Sequence, residues 1–336
     1  MNIPIEDIYV KQEDEIKLYV IGYESMGESI IINIAEKFFG VIDCYKTKDF
    51  FITKNILEEL CVKKLDFICW THTDADHTKG MIELFDYVDD NTAFIMPEGL
   101  SYKELLSKVD LKSEKYCNEE IVHIFEAIKS KIKEYNFVSA NNGSSIYSFN
   151  LKLLNDEKSI AVNIESFAPL SSIVRNSQIR TMQELINESK KIHEKPNLFS
   201  VGLIINFIRQ SFSLKICLAG DVDNITIDKM HPLNKKRIFN NNHIIKLPHH
   251  GSNNSDRIIK DNLITYFDYA VSTSYKKHRL PRQEVLDGYK KCCSHGKISK
   301  TNKTAGPYGY VIYKVPLFND LEPNTEVCYV GTAGEV

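Results

Sequence analysis

Hydrophobic and polar positions along this chain change period repeatedly, and those changes mark out its elements. Short β-branched or aromatic runs at residues 18–22, 29–34 and 39–44 predict three strands, with Gly27 and Glu28 forming the tight turn between the first two. Apolar residues then recur at helical spacing through 55–64 (NILEELCVKK), and 65–70 (LDFICW) predicts a buried strand running into the polar loop THTDADHTKG. Beyond that loop, 80–88 has a helical pattern, 93–96 predicts a short strand, and 101–135 is helical and rich in Lys and Glu. Strand patterns resume with IYSFNLKLL and SIAVNIESFAP, pause for a charged helical piece at 181–195 closed by Pro196, and return in VGLIINFI, LKICLAGD, HIIKLPHHGS and YAVSTS. A helix near 284–293 and a strand at YGYVIYKV end the series. Strands and helices alternate throughout, which predicts an α/β fold, and no internal repeat or low-complexity segment interrupts it.

Composition refines this picture only at its margins. The 336 residues are 43% hydrophobic and 26% charged, enough to bury a sizeable core. A formal net charge of -3 argues against a protein that holds nucleic acid by a global basic surface. Local basic tracks at 275–279 (YKKHR), 297–304 (KISKTNKT) and 234–237 (NKKR) could still serve that purpose, although each also reads as a solvated loop. Residues 1–16 carry Glu6, Asp7, Lys11, Glu13, Asp14 and Glu15 and no apolar run of signal-peptide length. No stretch approaches the roughly 20 apolar residues that cross a bilayer, so the expectation is a cytoplasmic chain with no membrane partner. The eight cysteines form no C-x-x-C pair and read as reduced core thiols, with Cys292 and Cys293 adjacent.

Three segments carry chemistry. Residues 71–80 place His72, Asp74, Asp76 and His77 directly after a predicted buried strand. On a loop leaving a strand end, residues two apart can turn back toward one point, so these side chains could grip metal ions. The plainer alternative is a polar turn whose aspartates cap a helix beginning near Lys79. LAGD at 218–221 delivers Asp221 at the end of an apolar strand, where its two oxygens could each hold a cation, although a strand-end Asp is also an ordinary turn residue. LPHHGS at 247–252 sets His249 and His250 side by side after another buried strand. Consecutive side chains of an extended segment face opposite ways, which suits a core poorly and suits a ligand beside a second cavity-facing group better; which of the two is the ligand stays open.

The run HTDADH resembles the H-x-H-x-D-H motif of the metallo-β-lactamase superfamily, with Asp74 in place of the second His. LAGD resembles that family's bridging-Asp motif and PHHGS its last His motif. The order D-x-D-H, N-x-x-S (Asn197 to Ser200), G-D and P-H-H-G-S is similar to that of the hydrolase domain of ComEC-type DNA-uptake proteins, and of related phosphodiesterases and phosphorylcholine esterases. Residues 272–285 resemble the segment that brings a late His to the site, here His278, and the opening hairpin resembles one ending at a structural Asp, here Asp43. The likeness covers about 18–100 and 140–315. It lacks a counterpart of the family's middle-motif His, since His123 and His193 read as surface residues.

The resemblance implies an αββα sandwich formed by 1–336 as a single domain, with helical insertions near 101–136 and 176–196. It implies a dinuclear metal-dependent hydrolase, a phosphodiesterase or nuclease, in which two divalent cations (Zn²⁺ or Mn²⁺, with Mg²⁺ also compatible) activate a water. His72, Asp74 and Asp221 would hold one cation, and Asp76, His77, Asp221 and His250 the other. Asp76, His249 and His278 would serve catalysis, and the substrate would be a phosphodiester in DNA, RNA or a nucleotide-derived small molecule, with or without a protein partner. Two alternatives are a hydrolase of a small ester, lactone or amide, and a binding module with an impaired metal site.

Overall fold

A computed structural model of the chain describes residues 3–99, 118–187, 196–209, 213–294, 297–318 and 324–336. Period-2 patterning drives its architecture. In the strand Glu28–Ile34, Ile30, Ile32 and Ile34 point one way and Ile31 the other, yet all are buried, because both faces of the sheet are covered.

Among the described residues the strands form two sheets, of eight and ten strands. The first runs Glu326–Gly331, Tyr308–Pro316, Glu15–Tyr23, Glu28–Ile34, Phe38–Ile42, Phe67–Cys69, Ala93–Pro97, Phe137–Ala140. The second has Ser144–Leu153, Ser159–Ala168, Gly202–Ile208, Ser213–Leu218, Asn242–Lys246, Phe267–Ser272 and Ile298–Lys300 as its main run. Residues such as Ile32, Phe38 and Ile95 from one sheet and Ile164, Ile205 and Ile216 from the other fill the space between them. Ile52–Glu59, Met81–Tyr87 and Asn118–Lys131 cover the outer face of the first sheet. Asn224–Lys229, Pro232–Phe239, Arg257–Lys260 and Gln283–Lys290 cover that of the second. The α/β class and the αββα layering expected from the sequence are therefore what the chain forms.

Phe38–Ile42, Phe67–Cys69 and Ala93–Pro97 pair in parallel. So do Ser213–Leu218, Asn242–Lys246, Phe267–Ser272 and Ile298–Lys300. Parallel strands point their carboxyl ends, and the loops leaving them, to one side, which is where α/β sheets bind ligands.

Several expected boundaries shift. Glu28 belongs to a strand and is buried, so the turn is 24–27 and not the Gly27–Glu28 pair. The helix expected at 55–64 is Ile52–Glu59, and 80–88 winds as a 3-10 helix, Met81–Tyr87. The helix expected to start at 181 begins at Ser171, while 188–195 and 100–117 lie outside the described residues. The second half of the first expected insertion is the helix Asn118–Lys131, and His123 is exposed on it, as the sequence suggests. His193 lies outside the described residues. No described helix is long and apolar enough to cross a membrane.

Candidate metal centre

The loops leaving four strands, and the segment before Gly202–Ile208, converge on one cavity of about 320 Å³ lined by Asp74, Asp76, Asn197, Asp221, His249, Tyr275 and His278, among others. After Phe67–Cys69 the chain passes His72, and Asp74 stands at the N-cap of the short helix Ala75–Thr78. The helix expected near Lys79 is Met81–Tyr87, with Gly80 at its N-cap and no side-chain cap bond, so the aspartates do not cap it. Asp76 and His77 sit within that helix and are buried.

Asp221 follows Gly220, whose φ of +50° and close approach to the Val201 carbonyl, 2.6 Å from any added Cβ, demand glycine. Its amide N–H donates to Ser200 Oγ at 2.8 Å, and Asn197 Nδ2 stands 3.4 Å from its carboxylate, so both ends of the N-x-x-S element reach the site. His249 and His250 are not in an extended segment as the sequence argument assumes. Both adopt left-handed conformations, φ 48° and 52°. The His249 N–H donates to Gly220 O at 3.0 Å and Ser272 Oγ donates to His250 O at 3.1 Å, which secures a backbone that costs on the order of 1 kcal/mol or more per residue.

The hydrogen-bond network assigns the imidazole tautomers. Asp43 accepts from Thr71 N at 2.7 Å, Thr71 Oγ1 at 2.6 Å and His77 Nδ1 at 2.7 Å. Thr71 thereby spends its one hydroxyl proton, so His72 Nδ1, 2.9 Å away, must donate to it. Thr273 Oγ1 likewise donates to Glu28 Oε2 at 2.6 Å and accepts from His250 Nδ1 at 2.7 Å. All three imidazoles therefore carry Nδ1–H and turn Nε2 toward the aspartates, the orientation of metal-ligating histidines.

Those Nε2 atoms meet the carboxylates at ligand spacing. His250 Nε2 is 3.3 Å from Asp76 Oδ2, 3.4 Å from His77 Nε2 and 3.6 Å from Asp221 Oδ2. His77 Nε2 is 3.7 Å from Asp76 Oδ2 and 3.5 Å from Asp221 Oδ1. Four donors around a shared cation at about 2.1 Å stand roughly 3.4 Å apart. His72 Nε2 forms a looser second set, 3.8 Å from Asp74 Oδ2 and 4.0 Å from Asp221 Oδ2. His72 Nε2 and Asp221 Oδ1 are buried with no hydrogen-bond partner, a costly arrangement that a cation relieves. The donor set thus fits divalent metal. Asp43, although near His72 and His77, has its oxygens occupied and acts as their orienting acceptor.

Burial opposes protonation of His77, but Asp221, Asp76 and Asp43 outweigh it and hold the imidazole well above its usual value. Burial opposes ionisation of Asp221, but His250, His77, His249 and Lys246 outweigh it and hold the carboxyl well below its ordinary range. Burial keeps His72 well below the usual imidazole value. His249 lies on the cavity wall with Asn197 Nδ2 3.3 Å from its ring, and His278 is exposed at the lip, its ring 4.8 Å from that of Tyr275. Burial pushes the Tyr275 hydroxyl well above its ordinary value, leaving it a donor at neutral pH.

Of the basic tracks, only 275–279 contributes to the cavity wall, through Tyr275 and His278. NKKR lies on the helix Pro232–Phe239, where Arg237 engages Glu165. Residues 298–300 are a strand paired with Ala270–Ser272. Sequence reasoning missed Glu28, Lys246 and Thr273. Its one available signal was a lysine inside the apolar run HIIKL.

No family model matches the sequence, and no curated protein does. Similar solved structures include the Rm3 metallo-β-lactamase, 10% identical over 66% of this chain and 65% of that one, TM-score 0.32. They also include MEM-A1, a subclass B3 metallo-β-lactamase from a soil metagenome library, 10% identical over 80% of this chain and 79% of that one, TM-score 0.32. A long form RNase Z from yeast is 10% identical over 94% of this chain, which spans 49% of that protein, TM-score 0.36.

Proposed function

We propose that the chain is a metal-dependent hydrolase of phosphodiesters. The observation that carries this reading is the convergence of three imidazole Nε2 atoms with three aspartates on the floor of an open cavity. His72, Asp74 and Asp221 would hold one divalent cation, and Asp76, His77, Asp221 and His250 the other. Bound there, the cations would acidify a water and neutralise anionic phosphate oxygens. Three carboxylates among the donors favour oxygen-seeking cations, so Mn²⁺ suits the site as well as Zn²⁺.

The chain's own groups supply the rest. Asp43, Thr71 and Thr273 keep the imidazole protons on Nδ1. His249 and Asn197 form the wall against which a substrate rests. Tyr275 on the cavity wall would donate a hydrogen bond to the substrate, and His278 at the lip would give a proton to the departing oxygen. Exposed Lys277 and Arg279 flank His278 and would attract a phosphate backbone. The test is a panel of bis-nitrophenyl phosphate, cyclic nucleotides, single- and double-stranded DNA, RNA, a β-lactam and a lactone, each with Mn²⁺ or Zn²⁺. Turnover confined to the β-lactam or lactone would replace the phosphodiester reading, and none with any metal would favour a binding role.

A further inference from the structure

Behind the aspartates lies a buried ion pair that the proposed chemistry does not use. Lys246, at the end of a strand that is buried throughout, is fully enclosed, and its Nζ stands 2.8 Å from Glu28 Oε2. The ammonium also donates to Gly220 O at 3.0 Å and lies 3.8 Å from Asp221 Oδ1. Glu28 Oε2 in turn accepts from Thr273 Oγ1, which accepts from His250 Nδ1. One ion pair thus reaches two of the candidate ligands by different routes.

We infer that Glu28 and Lys246 are positioning residues of the metal centre. Glu28 orients His250 through Thr273, its Oε2 also standing 3.6 Å from His250 Nδ1, and Lys246 holds Asp221 and its preceding carbonyl in place. This rests on the metal-site reading above. A pair that merely stabilised the fold would be replaceable by neutral groups without changing metal affinity.

The test uses the full chain and compares Glu28→Gln, Lys246→Met, the double variant, Thr273→Val and Thr273→Ser. Mn²⁺ and Zn²⁺ affinity is measured by chelator competition, thermal unfolding is followed without metal, and imidazole tautomers are read from two-bond ¹⁵N–¹H spectra. Either single charge variant lowers the unfolding midpoint, and the double recovers it. Metal affinity in the double stays about 10- to 100-fold below that of the unaltered chain. Thr273→Val, which removes no charge, weakens affinity about 10-fold while Glu28, 3.6 Å from His250 Nδ1, keeps the Nδ1–H tautomer, and Thr273→Ser restores affinity. Full affinity in the double variant or in Thr273→Val overturns the inference. Should the double fail to fold, the Thr273 pair decides. An unaltered chain that takes up neither cation sinks the metal centre itself, which is a separate failure.

Discussion

Replacing Asp43 by Asn exchanges one oxygen for an NH₂ group and should reverse two imidazoles at once. Asp43 Oδ1 can go on accepting from Thr71 N, and Asn tolerates the φ of 55° at this position, so the backbone need not move. The new NH₂ would replace the oxygen that now accepts from both Thr71 Oγ1 and His77 Nδ1. His77 must then accept on Nδ1 and carry its proton on Nε2, facing Asp76 and Asp221. Thr71 must turn its hydroxyl toward His72 Nδ1, which moves that proton to Nε2 as well. Losing such a supporting partner costs roughly 10- to 100-fold in metal affinity, about 1.4–2.8 kcal/mol per imidazole. Two imidazoles affected independently give roughly 10²- to 10⁴-fold weaker binding. Chelator competition with Mn²⁺ and Zn²⁺ measures the loss, and imidazole ¹⁵N–¹H spectra report the tautomers. An Asp43→Asn protein that binds metal within about threefold of the unaltered chain and keeps Nδ1–H on both rings would refute the tautomer assignment.

Asp76→Ala should lose bound metal and turnover together, since it removes a donor 3.3 Å from His250 Nε2; full metal content with activity would show that Asp76 is no ligand. His278→Ala should slow the reaction about 10²-fold with metal content unchanged, as expected for an exposed proton donor, whereas lost metal would make it a ligand. Away from the site, burial pushes Asp66 from 3.8 up to about 6. The folded state then binds the proton more tightly than the unfolded one, so this contribution to stability is full below about pH 4 and is lost as pH rises toward 6. Asp66→Asn should therefore be more stable than the unaltered chain by about 3 kcal/mol at pH 8 and by much less near pH 4, by urea unfolding; a difference independent of pH would contradict the shift.

The sequence showed the strand ends and most of the candidate ligands because both are local signals. Four of the ligands fall within the single loop after one buried strand, and Asp221 and His250 each follow a recognisable apolar run. Contacts made across the fold left little trace. Thr273 meets Glu28 across 245 positions, and a lone glutamate after a glycine reads as a turn until the sheet that buries it is known. The two histidines stand out in the sequence on the assumption of an extended segment, which they do not form. Their left-handed backbone depends on the Gly220 carbonyl, which lies beyond the reach of local periodicity. The absence of a middle-motif His also looks different in three dimensions, because Asn197 reaches Asp221 and His249.

The three imidazoles come from both sheets, yet the acceptors that orient them stem from a single hairpin. Glu28 opens one of its strands and Asp43 follows the other, and the pairing of Ile30 with Ile42 brings both to the same end. Ser29 Oγ donates to Asp43 O at 3.0 Å and ties the two together. Asp43 serves His77 directly and His72 through Thr71, within its own sheet. Glu28 reaches across to Thr273 and Lys246 of the other sheet and so serves His250. The separation of His77 from His250, 3.4 Å between Nε2 atoms, is consequently set by how this hairpin seats against both sheets. A closely packed core transmits such seating with little slack, so a cavity left between the sheets near Ile32 or Phe38 would act on the metal centre through geometry as well as through stability.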